Sequence, residues 1–116
     1  MSLWKYNDVE LEIRMSDANF QKKYELSFKK MGETEVNLQK VGMLSEITEK
    51  YCQMFYQFFD DMYGEGTGNK LFEGRLDEEE IDEVFDSWLN QCKKDVDALN
   101  KRRAARYSKY KVGKKR

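Results

Sequence analysis

The sequence predicts an α+β fold that is mainly helical, with an N-terminal β-hairpin followed by a three-helix bundle and a basic C-terminal tail. Three observations support this prediction. Apolar and charged residues alternate near the N-terminus, three later segments repeat apolar residues at helical spacing, and residues 101–116 are basic and lose the apolar stripe. We therefore expect a single hairpin-plus-helices domain over residues 1–100 and a tail over residues 101–116.

The hairpin is predicted from two short runs on either side of Asn7-Asp8. In the second run the apolar residues are Val9, Leu11, Ile13 and Met15, and charged residues separate them, so one face is half-buried. Asn and Asp tolerate left-handed backbone, which suits a two-residue turn. Because an isolated hairpin is only marginally stable in water, its apolar face is expected to pack on helices or on another chain.

The first helix is predicted to begin at the N-cap Ser16-Asp17 and to run to Lys30 or beyond. Its apolar residues recur at steps of four, four and three: Phe20, Tyr24, Phe28 and Met31. The sequence allows two C-terminal ends for this helix: either Gly32 ends it, or a polar extension continues to Lys40. Gly42 indicates a break before the next helix.

The second helix is predicted from Leu44 to Tyr63, and Gly64 ends it as a C′ glycine would. Its wide apolar face consists of Leu44, Ile47, Tyr51, Met54, Phe55, Phe58, Phe59 and Met62. No other segment has as many aromatic rings, so this helix should be central. Thr67 is expected to cap a short turn after it, and Gly74 to close that turn.

The glycines of this connector allow two interpretations. Gly64, Gly66 and Gly68 resemble a phosphate-binding loop, but they follow a helix and lack the Gly-Lys-Ser/Thr signature. A helix-ending connector that needs positive φ angles explains them better. A calcium loop that starts at Asp61 also fails, because Tyr63 and Phe72 occupy positions where oxygen ligands are needed.

The third helix is predicted to open at Asp77 with a capping-box pattern and acidic residues at the positive end of the helix dipole. Its apolar face consists of Ile81, Val84, Phe85, Trp88, Leu89, Cys92, Val96 and Leu99. Seven carboxylates lie in its first part: Asp77, Glu78, Glu79, Glu80, Asp82, Glu83 and Asp86. They form either a solvated face or an acidic surface for a basic partner, including the chain's own tail.

The composition argues against an enzyme. The chain has no histidine, which removes the commonest general base and a principal zinc ligand. Two cysteines cannot form a four-thiolate zinc site, and Cys52 and Cys92 have no C-x-x-C spacing. We expect no catalytic residues, no cofactor and no metal, and we expect both cysteines to be reduced core thiols.

The charge distribution is strongly asymmetric. Residues 1–100 hold 12 basic and 22 acidic side chains, whereas residues 101–116 hold nine basic and no acidic ones. Candidate nucleic-acid-binding residues in the tail are Lys101, Arg102, Arg103, Arg106, Lys109 and Lys111, with Tyr107 and Tyr110 between them. The alternative is a solubilising or partner-docking tail, and the acidic body should repel a phosphate backbone.

Aromatic residues make up 14% of the chain, which is generous for this size. Most are expected in the core, but some can form an exposed patch for another chain. The candidate partner-binding residues are Phe58, Phe59, Tyr63, Phe72 and Trp88. Such a patch would produce a homo-oligomer or a complex with another protein.

The sequence contains no apolar run long enough to span a bilayer and no hydrophobic signal segment near its N-terminus. We therefore expect a cytoplasmic protein that has no contact with membranes.

The run FFDDMYGEGTGNKLF, residues 58–72, resembles a motif of small uncharacterised phage and prophage proteins of Firmicutes. Two further runs, residues 9–12 and 20–25, are similar to that family's layout, and the resemblance covers about residues 4–95 without the tail. It implies a non-enzymatic protein that assists tail assembly in the bacterial host, as a chaperone that binds the tape-measure protein and recruits tail-tube subunits. The alternative is a small nucleic-acid-binding or regulatory phage protein that acts through its basic tail.

Overall fold

The computed structural model describes residues 1–38 and 42–114. The element order is β1 (Ser2–Tyr6), β2 (Val9–Ile13), α1 (Ala18–Leu38), α2 (Leu44–Tyr63), α3 (Thr67–Phe72) and α4 (Glu78–Lys114). The α+β, mainly helical fold with its N-terminal hairpin is thus confirmed. The short turn predicted after α2 is a helix, so four helices follow the hairpin within the described residues, where three were expected.

The hairpin has the predicted turn and register. Tyr6 pairs with Val9, which leaves Asn7-Asp8 as the two-residue turn, and Asn7 has a φ of 54°. Trp4 and Leu11 also pair, and both are buried. The alternating pattern therefore identified the buried face, because successive strand residues point to opposite sides of the sheet.

β1 runs antiparallel to α4, and side-chain hydrogen bonds of three β1 residues tie it to that helix. The Ser2 hydroxyl donates to the Asp95 carboxylate at 2.6 Å, and Trp4 Nε1 donates to Ser87 Oγ at 3.0 Å. The third bond runs from the Tyr6 hydroxyl to Glu80 Oε2 at 2.6 Å. Helix α4 is therefore the support on which the two-stranded sheet rests.

The three long helices form one bundle around an aromatic core. α1 is antiparallel to α2, because Phe20 lies 6.2 Å from Tyr63 and Phe28 lies 4.9 Å from Phe58, measured between ring centroids. α2 runs in the same direction as α4, because Tyr51 contacts Asp82 and Tyr63, further along α2, contacts Trp88, further along α4. Most ring pairs of the interior meet edge to face, as Phe58 does with Phe28, Phe85 and Trp88, an arrangement that aromatic pairs favour.

Helix α1 is longer than the minimum predicted. Asp17 Oδ1 accepts the backbone N–H groups of Asn19 and Phe20 at 2.8 and 3.1 Å, so the N-cap is confirmed. The helix passes through Gly32 and ends at Leu38, which favours the polar extension. Lys40, the expected limit of that extension, lies outside the described residues.

Helix α4 begins at the predicted place and continues much further than the apolar stripe. Asp77 Oδ1 accepts the backbone N–H groups of Glu79 and Glu80 at 3.0 and 3.2 Å. The helix contains 37 residues and ends at Lys114. At 1.5 Å per residue it is about 55 Å long. The predicted tail is therefore a continuation of α4, while Lys115 and Arg116 lie beyond the described part.

Candidate functional site

Four of the five predicted partner-binding rings are core residues. At most 1% of each side chain is exposed: Phe58, Phe59, Phe72 and Trp88. The physical reason is that other elements cover the part of α2 that carries Phe58 and Phe59. Trp4 of the hairpin stacks on Phe59, with ring centroids 6.4 Å apart, and α1 and α4 cover the rest. These rings cannot contact a partner while the fold is intact, so the placement of a binding patch there is corrected.

The fifth ring, Tyr63, is half-buried and connects three elements. Its hydroxyl donates to the Glu12 carbonyl at 2.8 Å and accepts from Trp88 Nε1 at 2.9 Å. Burial raises the pKa of this hydroxyl. Because both hydrogen-bonding roles of the hydroxyl are used inside the fold, Tyr63 holds β2, α2 and α4 together.

Each glycine of the connector has a local structural reason. Gly64 and Gly66 have φ values of 115° and 92°, which favour glycine. Gly68 has an ordinary φ, but a Cβ at that position would lie 2.7 Å from the Cα and carbonyl oxygen of Tyr56. Two glycines therefore allow a backbone turn, and the third allows α3 to approach α2 closely.

Hydrogen bonds within the connector favour a structural role over phosphate binding. The Gly68 N–H donates to Asp60 Oδ1 at 2.8 Å, so a carboxylate already occupies an amide that a phosphate would need. Thr67 does not cap α3 as expected. It is the first helical residue, and its hydroxyl donates to the Gly64 carbonyl at 2.7 Å.

In residues 1–38 and 42–114 no group of three or more carboxylate or thiol side chains is arranged to hold a metal ion.

The acidic start of α4 divides into structural and solvent-exposed carboxylates. Asp77 caps the helix, and Asp82 accepts the Tyr51 hydroxyl at 2.6 Å. The exposed carboxylates without such a role are Glu78, Glu79, Glu83 and Asp86. The chain's own basic tail leads away from them, because it continues the same helix at the opposite end.

Glu80 is the most extensively bonded acidic residue of this segment. Its carboxylate accepts hydrogen bonds from Nε and Nη2 of Arg75 at 2.9 and 2.8 Å, and another from the Tyr6 hydroxyl. The capping-box expectation for this side chain was therefore wrong, since tertiary partners use its oxygens. Hydrogen bonds from Arg75 and Tyr6 lower the pKa of Glu80 below its ordinary 4.5.

We expect Glu80→Gln to lower the free energy of unfolding by about 1 kcal/mol at neutral pH, because it removes the charge from a bidentate pair. Because the pKa of Glu80 is lower in the folded state, its ionised form contributes to the free energy of unfolding. This contribution is full above about pH 4.5 and is lost as the pH falls through the folded-state pKa. Urea denaturation should show the two proteins converging at acid pH. Glu79→Gln, at an exposed neighbour, should change stability little, and an equal loss there would contradict the prediction.

Both cysteines lie in the core, as expected. Cys52 and Cys92 are buried free thiols. Burial raises the pKa of Cys52 to about 11 and that of Cys92 to about 12. Nucleophilic chemistry requires the thiolate form, so neither environment favours a reactive cysteine.

Large apolar side chains are exposed where α1 ends and α2 begins. Three large side chains point into solvent there: Val36, Met43 and Leu44, which are 67%, 63% and 81% exposed. We call these three residues the apolar tip. Between them, the two helices also form a cavity of about 370 Å³, whose apolar lining comes from Leu38 and Met54 and includes none of the tip residues.

The apolar tip was not recognised in the sequence. Helical spacing predicts Leu44 on the apolar face of α2, but seven helical residues precede Tyr51 whereas only four precede its partner Asp82 on α4. The first turn of α2 therefore overhangs the start of α4. Val36 gave one usable signal, because it lies away from the helical stripe that Met31 and the preceding aromatic residues form.

The other distinct surface is the part of α4 over residues 101–114, which we call the basic arm. Every residue from Lys101 to Tyr110 is exposed. The Arg106 guanidinium lies 5.4 Å from the Tyr110 ring centroid and donates to its hydroxyl. The predicted cations with described side chains are therefore exposed: Lys101, Arg102, Arg103, Arg106 and Lys109. The Lys111 side chain is outside the described part.

In the portion that the structure describes, no helix combines the length and the apolar character needed to cross a membrane.

Comparison with known proteins yields one match. The model of a protein family, described as a family of unknown function (DUF6673), matches residues 7–116. No curated protein and no solved structure matches the chain. The family match includes the basic arm, which the motif resemblance in residues 58–72 left out.

Proposed function

The chain belongs to the DUF6673 family, and we propose that it is a non-enzymatic phage or prophage protein that assists tail assembly by binding other structural proteins. The proposed partners are the tape-measure protein and the tail-tube protein, in the cytoplasm of a bacterial host. The phage setting is supported by the motif in residues 58–72. The observation that supports protein binding is the exposed apolar tip.

The chemistry of the tip suits a helical partner. A tape-measure protein is a long helical chain with apolar stripes, and a groove between two helices is a common way to hold such a stripe. A cavity of this kind lies between α1 and α2, where Leu38 and Met54 supply an apolar floor. Polar side chains surround that floor: Thr34, Asn37, Lys50, Gln53 and Gln57. An apolar centre with a polar rim is the usual composition of a protein-binding surface.

The non-enzymatic part of the proposal is supported by the composition and by the uses of the polar side chains. The chain has no histidine. The carboxylates of Asp60, Asp77 and Glu80 bind groups of the protein itself. These bonds stabilise turns, helix starts and the contact between the hairpin and α4.

The proposal is tested by co-purification with the tape-measure and tail-tube proteins encoded beside the same gene. We expect binding that survives about 500 mM salt, since apolar contacts are not screened as charges are. The double variant Val36→Glu with Leu44→Glu should reduce binding at least about tenfold, because it places charges in the apolar contact. Circular dichroism should remain unchanged, since both positions are exposed.

Leu26→Glu is the matched control, because Leu26 is an exposed leucine of α1 away from the tip. It should bind both partners like the wild type. Failure of the wild-type protein to co-purify with either partner, or equal losses in the control and the tip variant, would end the proposal.

Light scattering of the isolated protein tests the further expectation of a homo-oligomer, which predicts a mass above 13.9 kDa.

A further inference from the structure

The basic arm has a concentration of positive charge that the fold does not use. Seven of its fourteen residues are Lys or Arg, and none is acidic. All five salt bridges found among the described residues lie in the body, which we define as residues 1–100. The five arm cations with described side chains are therefore available to a negatively charged partner: Lys101, Arg102, Arg103, Arg106 and Lys109.

The arrangement of these cations favours a partner that surrounds the helix. Arg102, Arg106 and Lys109 share one face at spacings of four and three, while Lys101 and Arg103 lie about 100° to either side of Arg102. A helix that docks in a protein groove presents an apolar stripe. The arm has none, since its other residues up to Tyr110 are Ala104, Ala105, Tyr107, Ser108 and Tyr110 itself. A helix in a DNA groove instead meets phosphates on both sides.

The structure also weakens the electrostatic argument against nucleic acid. The acidic body was expected to repel phosphates, but the fourteen helical residues of the arm extend about 21 Å at the usual rise. The Debye length at physiological ionic strength is about 8 Å. The outer half of the arm is therefore more than one Debye length beyond Lys101, and the body charge is largely screened there.

From charge, arrangement and reach together, we infer that the basic arm binds duplex DNA by lying in the major groove. An α-helix with its side chains is about 10–12 Å wide, which matches the roughly 12 Å width of that groove. The major groove of duplex RNA is too narrow for such entry. This site is independent of the apolar tip, so either proposal can fail without the other.

The test is fluorescence anisotropy of the full chain with a labelled 20-base-pair DNA duplex. If about five cations contact phosphates, affinity should fall about 500-fold between 50 and 200 mM salt, as counterion release requires. Duplex RNA, single-stranded DNA and poly-glutamate are measured in parallel. We expect all three to bind at least about tenfold more weakly than the DNA duplex at 50 mM salt.

The informative variant combines Arg102→Gln, Arg106→Gln and Lys109→Gln, which keeps good helix formers at exposed positions. It should weaken DNA binding at least about 100-fold at 50 mM salt. The matched control removes three exposed α1 charges through substitutions of Lys22, Lys23 and Lys29 by Gln. Its net charge is the same, and its affinity should stay within about twofold of the wild type if contacts rather than net charge decide.

Three outcomes overturn the inference. The first is undetectable DNA binding by the wild type at 50 mM salt, and the second is an equal loss in the arm variant and the α1 control. The third is arm-dependent binding of single-stranded DNA, duplex RNA or poly-glutamate that is as tight as binding of the DNA duplex. Tight binding of poly-glutamate would assign the arm to an acidic protein.

Discussion

Replacement of Gly68 by alanine is expected to lower the free energy of unfolding by about 2–3 kcal/mol, because it forces apart two packed helices. The added Cβ would lie 2.7 Å from both the Cα and the carbonyl oxygen of Tyr56. Both of these atoms belong to the α2 backbone, which cannot rotate away as a side chain would. Urea denaturation measures the loss.

The same substitution at Gly32 is the control, and we expect the opposite sign. Gly32 lies inside α1, and a Cβ there would meet nothing within 4 Å. Alanine should therefore raise the free energy of unfolding by about 0.5–1 kcal/mol, the usual difference between Ala and Gly within a helix. Equal effects at the two positions would show that helix propensity alone explains them and that the contact between α3 and α2 is not tight.

Replacement of Trp88 by alanine is expected to cost about 4 kcal/mol of stability, the largest loss among the predicted substitutions. The indole is fully buried and lies within 6.4 Å, between ring centroids, of five other aromatic rings. Its Nε1 also donates to the Tyr63 hydroxyl, which would lose that donor. Because a whole domain is stable by only about 5–15 kcal/mol, partial unfolding at 37 °C is expected.

Tyr107→Ala provides the comparison on the same helix. Tyr107 belongs to the basic arm and is 67% exposed. Its removal should change the free energy of unfolding by no more than about 0.5 kcal/mol, as is usual for surface positions. If Trp88→Ala left the thermal midpoint unchanged and weakened partner binding instead, the assignment of this ring to the core would be wrong.

These expectations separate the two groups of residues first considered for function. The buried rings should control stability, and any effect of their substitution on binding should follow from unfolding. The exposed apolar tip and the exposed basic arm should control binding without affecting stability. A variant set that measures both quantities therefore distinguishes a structural residue from a binding residue.

Local elements were predictable where a short stretch of sequence decides them. The alternation after Asn7-Asp8 identified the buried face of β2, and the side-chain oxygens of Asp17 and Asp77 marked two helix starts. The bounds predicted for α2 agree with those observed, because its apolar stripe ends directly before Gly64. In each case the deciding interaction lies within a few residues along the chain.

The candidate site was harder to predict, because periodicity indicates which face is apolar but not what covers it. Phe58 and Leu44 belong to the same apolar stripe of α2, yet the first is buried and the second is exposed. The difference depends on where α4 begins relative to α2, and the pairing of Tyr51 with Asp82 sets that offset. A contact between residues 31 positions apart leaves no local signal.

The sequence by itself determined the α+β class, the buried face of the hairpin, the helix starts at Asp17 and Asp77 and the separation of an acidic body from a basic segment. Tertiary structure alone decided that Gly68 is needed for close packing on Tyr56 and that Glu80 binds Tyr6 and Arg75. It also decided that the basic segment extends as a helix beyond the body. The reason is physical: hydrogen bonding and side-chain period act between neighbours, whereas coverage, close approach and reach depend on elements that are distant in the chain.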